Sequence, residues 1–280
     1  IADYSYNYRS SDGSTVRSTS INFYEQWTDT DGNGTRNLTD TYTLVRAASA
    51  TASVDVLRLS SSYRSQKANI SALKNSDTGD DAADRQSRTY FAGTLPGDEI
   101  ADYTYSYKSD GTTERSTSYN FYEHNGSNVR AKDANPSDLL KVTTSYKGLQ
   151  TLSDTDLEDS ITQGRQSKTY FYTGLGQGDE IADYTYNYAS NGSTVKTVSY
   201  NFYVDKNSRT RASQVLATDK AILVMSESYK GTDSTAINTT ANRRSTTYFQ
   251  GTEPGDEIAD YSYNYRSSDG STVRSTSINF

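Results

Sequence analysis

The sequence of 280 residues contains no cysteine and only one histidine, one methionine and three prolines. Disulfides, thiol catalysis and zinc sites of the His/Cys type are therefore excluded. No apolar run approaches the roughly 18 residues that a membrane-spanning helix needs. Acidic residues outnumber basic residues by 35 to 28, and the net charge of -7 disfavours nucleic-acid binding, because a negative surface repels phosphate.

Apolar residues are scarce, but aromatic residues are not. Apolar residues make up 32% of the chain, against roughly 45–50% in an ordinary globular domain. Aromatic residues nevertheless reach 12%, because 25 residues are tyrosine. Disordered chains are poor in aromatic and β-branched residues, so this composition indicates an ordered protein.

The main feature of the sequence is an internal repeat. The tetrapeptide Ile-Ala-Asp-Tyr begins at Ile1, Ile100, Ile181 and Ile258. It divides the chain into repeat units 1–99, 100–180 and 181–257, followed by a partial unit, 258–280, that is identical to 1–23. Terminal repeats usually differ from inner ones because they act as caps. This identity and a start at Ile1 without an initiator methionine therefore predict an excerpt from a longer array.

Each unit carries the pattern of two related β-hairpins, or about four strands. Tyr103, Tyr105 and Tyr107 alternate with polar residues, which is the period of a pleated strand with one covered face. Asp110-Gly111 and Asn191-Gly192 supply turns in which a positive φ is expected. The sequence therefore predicts an all-β fold, a tandem array of stacked antiparallel β-hairpins that is elongated or fibrous.

Counting residues across the turns predicts the strand register. A three-residue loop in the second unit places Tyr103 opposite Thr117, and a four-residue loop in the first unit places Tyr4 opposite Thr19. Both registers keep the aromatic side chains on one face, which we expect to be buried between neighbouring hairpins. The predicted interior of the second unit comprises Tyr103, Tyr105, Tyr107, Tyr119 and Phe121.

Polar linkers separate the hairpins, at roughly 25–53, 124–138 and 204–220, and the first contains a candidate calcium loop. It resembles an EF-hand-type or thrombospondin-type loop over twelve residues, with Gly34 at the sharp turn. The resemblance implies calcium as the one candidate cofactor, although Arg36 replaces an aliphatic residue and no helices are predicted on either side. The alternative is a polar surface turn. The candidate ligands are Asp29, Asp31, Asn33, Thr35 (through its carbonyl), Asn37 and Asp40, the last in place of the usual glutamate.

Six asparagines precede x-Ser or x-Thr and are candidate glycosylation sites. The pattern has this meaning only in a secreted protein, and a chain rich in Asn, Ser and Thr contains several such triplets by chance. The six are Asn33, Asn37, Asn69, Asn125, Asn191 and Asn238.

Nothing in the sequence predicts a catalytic site. Asp98-Glu99 and its two repeats are carboxylate pairs, but adjacent residues of a strand point to opposite faces and an enzyme needs one site rather than three. We expect these pairs to form salt bridges with Arg85, Arg165 and Arg243. His124 has no nucleophile partner in sequence and is predicted to be a loop residue. The chain is therefore predicted not to be an enzyme.

The hairpins resemble a known repeat family. Tyr-x-Tyr, a polar turn with glycine, and an arginine followed by an aromatic strand, as in Tyr103–Tyr122, are similar to the YD (Rhs-type) repeats of bacterial surface and toxin-encapsulating proteins. The unit here is about twice as long or more. The whole array also resembles the giant tandem-repeat proteins that bacteria export as adhesins or surface fibres. Both resemblances imply an extracellular or cell-surface protein.

These observations lead to one main functional hypothesis and two alternatives. The main one is a non-catalytic structural segment of an extracellular fibre, stalk or adhesin, whose partners are neighbouring repeats or identical chains. The first alternative is a glycan-binding module that uses the tyrosine faces or the variable loops. The second is an Rhs-like shell around a toxin. All three predict no nucleic-acid partner and no membrane span.

Overall fold

The computed structural model describes residues 1–8, 13–33, 40–153, 158–231 and 240–279. The described residues are all-β and contain 17 strands, which pair antiparallel in consecutive hairpins, as the sequence predicts. The strands are β1 Tyr4–Tyr8, β2 Val16–Thr28, β3 Thr41–Val45, β4 Val56–Arg64, β5 Arg85–Ala92, β6 Ile100–Tyr107, β7 Glu114–His124, β8 Ser127–Arg130, β9 Leu139–Lys147, β10 Arg165–Tyr172, β11 Ile181–Tyr188, β12 Val195–Tyr203, β13 Thr210–Arg211, β14 Leu223–Lys230, β15 Arg243–Gln250, β16 Ile258–Tyr265 and β17 Val273–Ile278.

Helical structure in the described ranges is confined to single 3₁₀ turns. They cover Ala47–Ser49, Ile70–Ala72, Gly79–Asp81, Ala131–Asp133 and Ala212–Gln214. Within these same ranges, no helix has the length and apolar character needed to cross a membrane.

The chain forms two compact units. The first comprises residues 1–120, 129–136 and 147–151, and its main strands pair in the order β1-β2-β4-β5-β6-β7. The second comprises residues 121–128, 137–146 and 152–280, with the order β9-β10-β11-β12-β14-β15-β16-β17. The repeat boundaries derived from the sequence stay a prediction.

Parts of the predicted linkers are strands. The strand β2 continues to Thr28 and pairs with the short strand β3, so residues 25–28 and 41–45 form a hairpin inside the first predicted linker. In the third linker Phe202 and Tyr203 of β12 pair with Arg211 and Thr210 of β13. Pairing between strands satisfies the hydrogen-bonding groups of the backbone whatever the side chains are. The polar composition of the linkers therefore did not predict these strands.

The predicted register is wrong by two residues, although the predicted face is right. Tyr103 lies opposite Tyr119 rather than Thr117, and Tyr4 lies opposite Ile21 rather than Thr19. The hairpin loop is longer than the three residues assumed, because the strands stop at Tyr107 and Glu114 after a bulge. A shift of two residues preserves the side-chain alternation, whereas a shift of one would have reversed it.

The tyrosine face is partly interior. In the second repeat Tyr107, Tyr119 and Phe121 are buried, as predicted. Tyr103 and Tyr105 are only half-buried, so their predicted burial is too strong. Their rings instead pack on Tyr90, with centroid distances of 4.5 and 5.6 Å, and keep part of their surface in water.

Each unit has its own aromatic core built from inward-facing strand residues. In the first unit the core cluster is Ile21, Phe23, Leu59, Tyr63 and Leu73. In the second unit it is Val198, Tyr200, Phe202, Met225 and Tyr229. Tyrosine supplies large apolar area where aliphatic residues are few, and burial of that area stabilises the hairpins.

Candidate functional site

The contact between successive repeats centres on a buried arginine, which we call the joint arginine. The side chain of Arg165 lies over the ring of Tyr188 in the next repeat, 4.2 Å from its centroid. Its Nε donates a 2.8 Å hydrogen bond to the carbonyl of Gly192, and its Nη1 donates a 2.6 Å bond to Asp159. One side chain therefore binds the strand and the turn of the next hairpin, and a carboxylate holds it in place.

The contact of the arginine with a tyrosine ring occurs three times, and the bond from Nε to the turn glycine occurs at two of them. Arg85 lies 4.3 Å from the ring centroid of Tyr107, and Arg243 lies 4.2 Å from that of Tyr265. The Nε of Arg243 donates to the carbonyl of Gly270 at 3.1 Å. A contact repeated with nearly constant geometry indicates that each repeat is built to receive the next.

The turn glycine at each joint fits closely against the preceding repeat. A Cβ added to Gly192, which has a φ of +68°, would lie 1.7 Å from the carbonyl oxygen of Thr162. At Gly111 and Gly270 the corresponding distances, to Ala82 and Thr240, are 1.9 and 1.8 Å. The Asp-Gly and Asn-Gly turns were predicted for their positive φ, which is confirmed. Glycine is also required there because two backbones meet.

We expect Gly192→Ala to destabilise the second unit more than Gly126→Ala does. Both glycines have positive φ, but no heavy atom lies within 4 Å of a Cβ built on Gly126. Left-handed strain alone costs about 1–2 kcal/mol, and Gly192→Ala adds an overlap that separates two repeats. Urea unfolding followed by circular dichroism measures the difference. Equal destabilisation by the two substitutions would contradict the close approach at the joint.

The predicted salt bridges from the carboxylate pairs to the joint arginines do not form. Glu99 instead accepts hydrogen bonds from the backbone N–H groups of Leu57, at 2.7 Å, and Gly97, at 2.8 Å. Arg85 pairs with Asp77 at 2.9 Å. The strand β5 separates the two groups, because Arg85 begins that strand and Glu99 follows the turn at its other end. Glu180 and Glu257 repeat the backbone contacts of Glu99.

A second arginine, not identified from the sequence, binds the aspartate of the first three Ile-Ala-Asp-Tyr motifs. Arg130 holds Asp102 through two 2.6 Å hydrogen bonds and lies 4.4 Å from the ring centroid of Tyr119. Asp3 and Asp183 have the same kind of partner, Arg46 and Arg211. Each of these arginines precedes an alanine that begins a 3₁₀ turn, and this recurrent Arg-Ala in linkers of unequal length is the signal that could have revealed them.

Buried charges occupy the hairpin interiors of the second unit. Lys168 is bound by Glu158 and by Asp159, the latter at 3.0 Å. Burial acts to lower the pKa of Lys168, but hydrogen bonds to the two carboxylates outweigh it and raise the pKa. In the next repeat Glu227 binds Arg209 and, at 3.2 Å, Arg243. Burial opposes ionisation there too, but hydrogen bonds from Arg209 and a neighbouring tyrosine lower the pKa of Glu227. These ions are compensated, as buried charges must be.

Three of the predicted calcium ligands converge. Carboxylate oxygens of Asp29, Asp31 and Asp40 lie within 4.8 Å of one another. Asp40 is buried and accepts hydrogen bonds from Trp27 Nε1, at 2.8 Å, and from the backbone N–H of Thr30, at 3.0 Å. The side chain of Asn33 donates to Asp31, and Thr35 and Asn37 lie outside the described residues. Oxygen ligands of this kind suit calcium, but they also suit a self-bonded polar turn.

Calcium binding stays a prediction with a direct test. If the loop binds calcium, saturating calcium should raise the melting temperature of the chain, because a ligand that binds only the folded state stabilises it by about 2.7 kcal/mol at one hundred times its Kd. Asp31→Asn should weaken that shift, whereas Asp98→Asn, outside the loop, should leave it unchanged. No heat in titration calorimetry and no shift in melting temperature would contradict the prediction.

The described sequons lie in exposed positions. Asn33, Asn69, Asn125 and Asn191 are exposed in loops and turns, and Asn37 and Asn238 lie outside the described residues. Their glycosylation stays a prediction. His124 ends the strand β7 rather than lying in a loop, and its Nδ1 is 2.7 Å from the carboxylate of Asp138.

The chain was compared with models of known protein families and with curated proteins, and nothing matched.

Proposed function

We propose that this chain is a non-catalytic structural segment of an extracellular fibre, stalk or adhesin. The observation that carries the proposal is the joint, where three times an arginine lies over a tyrosine ring of the next repeat and a turn glycine approaches the preceding backbone. Contacts of this kind between each repeat and the next are the basis of repeat arrays, whose stability is a sum of units and nearest-neighbour interfaces. The partners are then further repeats of this type.

The composition of the chain supports a role outside the cell. A net charge of -7 and a large content of hydroxyl side chains keep a repetitive β-protein hydrated and discourage association through exposed strands. The absence of cysteine makes the fold independent of the redox state of its surroundings. The resemblance to YD repeats and to exported tandem-repeat proteins points to the same location.

Immunogold electron microscopy tests this proposal on the cells that produce the protein. An antibody raised against the purified chain should label extended appendages at the cell surface. Unpermeabilised cells should bind it as well as permeabilised cells do. Label confined to the cell interior would contradict the proposal, and label on closed particles would favour the Rhs-like shell instead.

One observation favours the glycan-binding alternative. A cleft of about 360 Å³ in the first unit is lined by the rings of Tyr42, Tyr90 and Tyr103 and by the charged side chains of Glu25, Arg58 and Asp102. Aromatic rings that flank hydrogen-bonding groups are suited to the apolar faces and hydroxyl groups of a sugar. An adhesin would use such a cleft for attachment.

A glycan array followed by titration tests the cleft. Tyr42→Ala should weaken any bound glycan by about tenfold, which corresponds to 1.4 kcal/mol. Tyr8→Ala removes a ring of similar exposure that does not line the cleft and should have no effect. Equal losses from the two substitutions, or no binding on the array, would remove this alternative.

A further inference from the structure

The turn between the strands β7 and β8 contains an asparagine followed by a glycine. Asn125 and Gly126 are both exposed, and both have a positive φ, of 49° and 78°. The turn belongs to the second unit, which includes residues 121–128 and 137–146. In an Asn-Gly dipeptide the backbone nitrogen of the glycine can attack the side-chain amide of the asparagine with little obstruction, because glycine has no side chain.

A histidine and an aspartate lie beside the amide of this asparagine. The Nε2 atom of His124 is 2.9 Å from Nδ2 of Asn125, and its Nδ1 atom is 2.7 Å from a carboxylate oxygen of Asp138. An amide NH2 group only donates, so Nε2 accepts this bond, and the proton of the neutral ring is on Nδ1, from which it is donated to Asp138. The three side chains form a line of hydrogen bonds that ends on the nitrogen that a reacting amide loses.

The surroundings of the ring suit proton transfer. The side chains of His124 and Asp138 are 27% and 16% exposed, so both are partly covered, and the ring still reaches water. A carboxylate on one ring nitrogen orients a histidine and stabilises its protonated form, which can then donate a proton from the other nitrogen. The other nitrogen here is Nε2, the atom next to the amide of Asn125.

An identical tripeptide in the same unit lacks this arrangement. Residues 191–193 repeat the Asn-Gly-Ser sequence of residues 125–127, and His124 is the one histidine of the chain. The side chain of Asn191 is held at both ends, since Oδ1 accepts bonds from two backbone N–H groups of its turn and Nδ2 donates a 2.8 Å bond to the hydroxyl of Thr194. This amide is therefore fixed by its own turn.

The two glycines differ in the same way. The backbone N–H of Gly192 donates a 2.9 Å hydrogen bond to the carbonyl of Ala189, and this turn is packed against the preceding repeat. Within the part of the chain that the structure describes, the backbone N–H of Gly126 donates no such bond, and a Cβ built on Gly126 would meet no atom within 4 Å. Ring closure can therefore proceed at residues 125–127, whereas it is opposed at residues 191–193.

We propose that Asn125 is a site of self-catalysed deamidation, with His124 as the general acid and Asp138 as a positioning residue. The backbone nitrogen of Gly126 bonds to Cγ of Asn125 and releases its proton to water. Nδ2 takes a proton from Nε2 of the protonated ring, the Cγ–Nδ2 bond breaks with its electron pair on nitrogen, and ammonia leaves. Water returns a proton to the ring, and a water molecule opens the five-membered imide to aspartate or isoaspartate.

The product differs from the asparagine turn in charge and in chain path. Either product adds a carboxylate to the turn, and isoaspartate also lengthens the main chain by one carbon. The reaction removes the candidate glycosylation site at Asn125, because the sequon requires asparagine. It is a single modification of the chain by itself rather than the turnover of a substrate, and it does not depend on the proposed fibre role.

Peptide mass spectrometry of the full chain tests the proposal. The chain is incubated at about pH 6, within the range in which histidine changes charge, and the replacement of an amide by a carboxylate is followed at Asn125 and Asn191. In the folded chain Asn125 should convert about a hundredfold faster, as expected for a positioned general acid. In urea the two sites should convert at similar rates, because their tripeptides are identical. Equal rates in the folded chain, or the same difference in urea, would overturn the proposal.

Two substitutions distinguish catalysis by the histidine from simple exposure of the turn. His124→Gln keeps a side chain that can accept a hydrogen bond from the amide but has no proton to transfer at this pH, so it should slow conversion of Asn125 by about a hundredfold. Glu123→Gln changes the neighbouring acid, which pairs with Lys141 at 2.9 Å, and should leave the rate unchanged. A rate that does not respond to His124→Gln would overturn the proposal.

The positioning role of Asp138 has a readout of its own. Asp138→Asn should slow conversion of Asn125, because an amide does not stabilise the protonated ring. Asp138→Glu keeps the carboxylate and should retain most of the rate. Circular dichroism checks that each variant keeps the β-structure of the parent. An equal loss of rate with asparagine and with glutamate, or no loss with either, would contradict this role.

Discussion

Ile21→Ala is expected to lower the free energy of unfolding of the first unit by about 2–5 kcal/mol, the range for truncation of a buried aliphatic side chain. Ile278→Ala is expected to change that of the second unit by less than about 0.5 kcal/mol, as exposed positions usually do. The two isoleucines have the same neighbours in sequence and the same partner across the hairpin. Ile21 is fully buried beside Leu59 and Tyr63, whereas Ile278 is 60% exposed.

The comparison isolates tertiary packing from every local effect. Strand propensity, turn sequence and cross-strand pairing are identical at the two positions, so any difference in free energy reports the cover supplied by β4. Trp27, the one tryptophan of the chain, lies in the first unit and follows its unfolding by fluorescence. Circular dichroism follows the second unit.

The matched substitutions Ile21→Val and Ile278→Val provide the control. Removal of one methylene group from the buried position should cost about 0.5–1.5 kcal/mol, and the exposed position should again be insensitive. Similar losses at Ile21 and Ile278 would mean that β17 is covered in the chain, and its description as an exposed strand would be wrong.

The hairpin frame could be predicted from the sequence because its signals are local. Alternation of Tyr103, Tyr105 and Tyr107 with polar residues identifies a strand and its inner face, and the Asp-Gly turn identifies the hairpin. The strand register was harder to predict. It depends on a bulge at Ser106/Tyr107 and on the length of the hairpin loop, and amino-acid composition does not determine that length. The error of two residues left the tyrosine side chains on the predicted face but assigned them the wrong partners across the hairpin.

The ion pairs could not be predicted from local pattern, because each depends on which segments the fold brings together. Arg85, Arg165 and Arg243 recur in sequence and so do the carboxylate pairs, but the groups lie at opposite ends of a strand. The recurrence of these arginines and carboxylates shows that they are important for the hairpin fold, but it does not show which residues they contact. The clamp of Asp102 by Arg130 was missed for the complementary reason, since Arg130 lies in a linker of variable length.

The buried charges illustrate the same limit. Lys168 follows Arg165 by three residues, and the third repeat has Thr246 at the corresponding position. There the interior charge is an anion, Glu227, whose partners Arg209 and Arg243 come from a linker and from the next strand. Aligning the repeats shows that threonine replaces lysine at this position. The alignment does not show which arginines neutralise Glu227, because they come from segments that only the folded chain brings together.

Above about pH 10, where free tyrosine ionises, the second unit is expected to lose stability steeply. Burial raises the pKa of Tyr203 and of Tyr229, and hydrogen bonding and charge repulsion from Glu227 raise that of Tyr229 further. Because the folded-state pKa exceeds the unfolded value, the unfolded chain releases the phenolic proton first as the pH rises. The stability that the neutral ring provides is therefore complete below about pH 10 and is lost progressively above it.

The slope of that loss can be estimated and tested with one matched pair of variants. Each fully buried tyrosine contributes up to about 1.4 kcal/mol per pH unit between its two pKa values, so Tyr203 and Tyr229 together contribute up to about 2.8 kcal/mol per pH unit. Tyr203→Phe should reduce the slope by up to about 1.4 kcal/mol per pH unit, together with a loss of about 1 kcal/mol at neutral pH for the hydrogen bond from its hydroxyl to the carbonyl of Ala182. Tyr8→Phe, which removes the hydroxyl of an exposed ring in the first unit, is the control variant. Urea unfolding at a series of alkaline pH values measures both slopes. Because each variant loses only the hydroxyl group and keeps the ring, a slope that Tyr203→Phe does not reduce would mean that this hydroxyl ionises as freely in the folded chain as in the unfolded one.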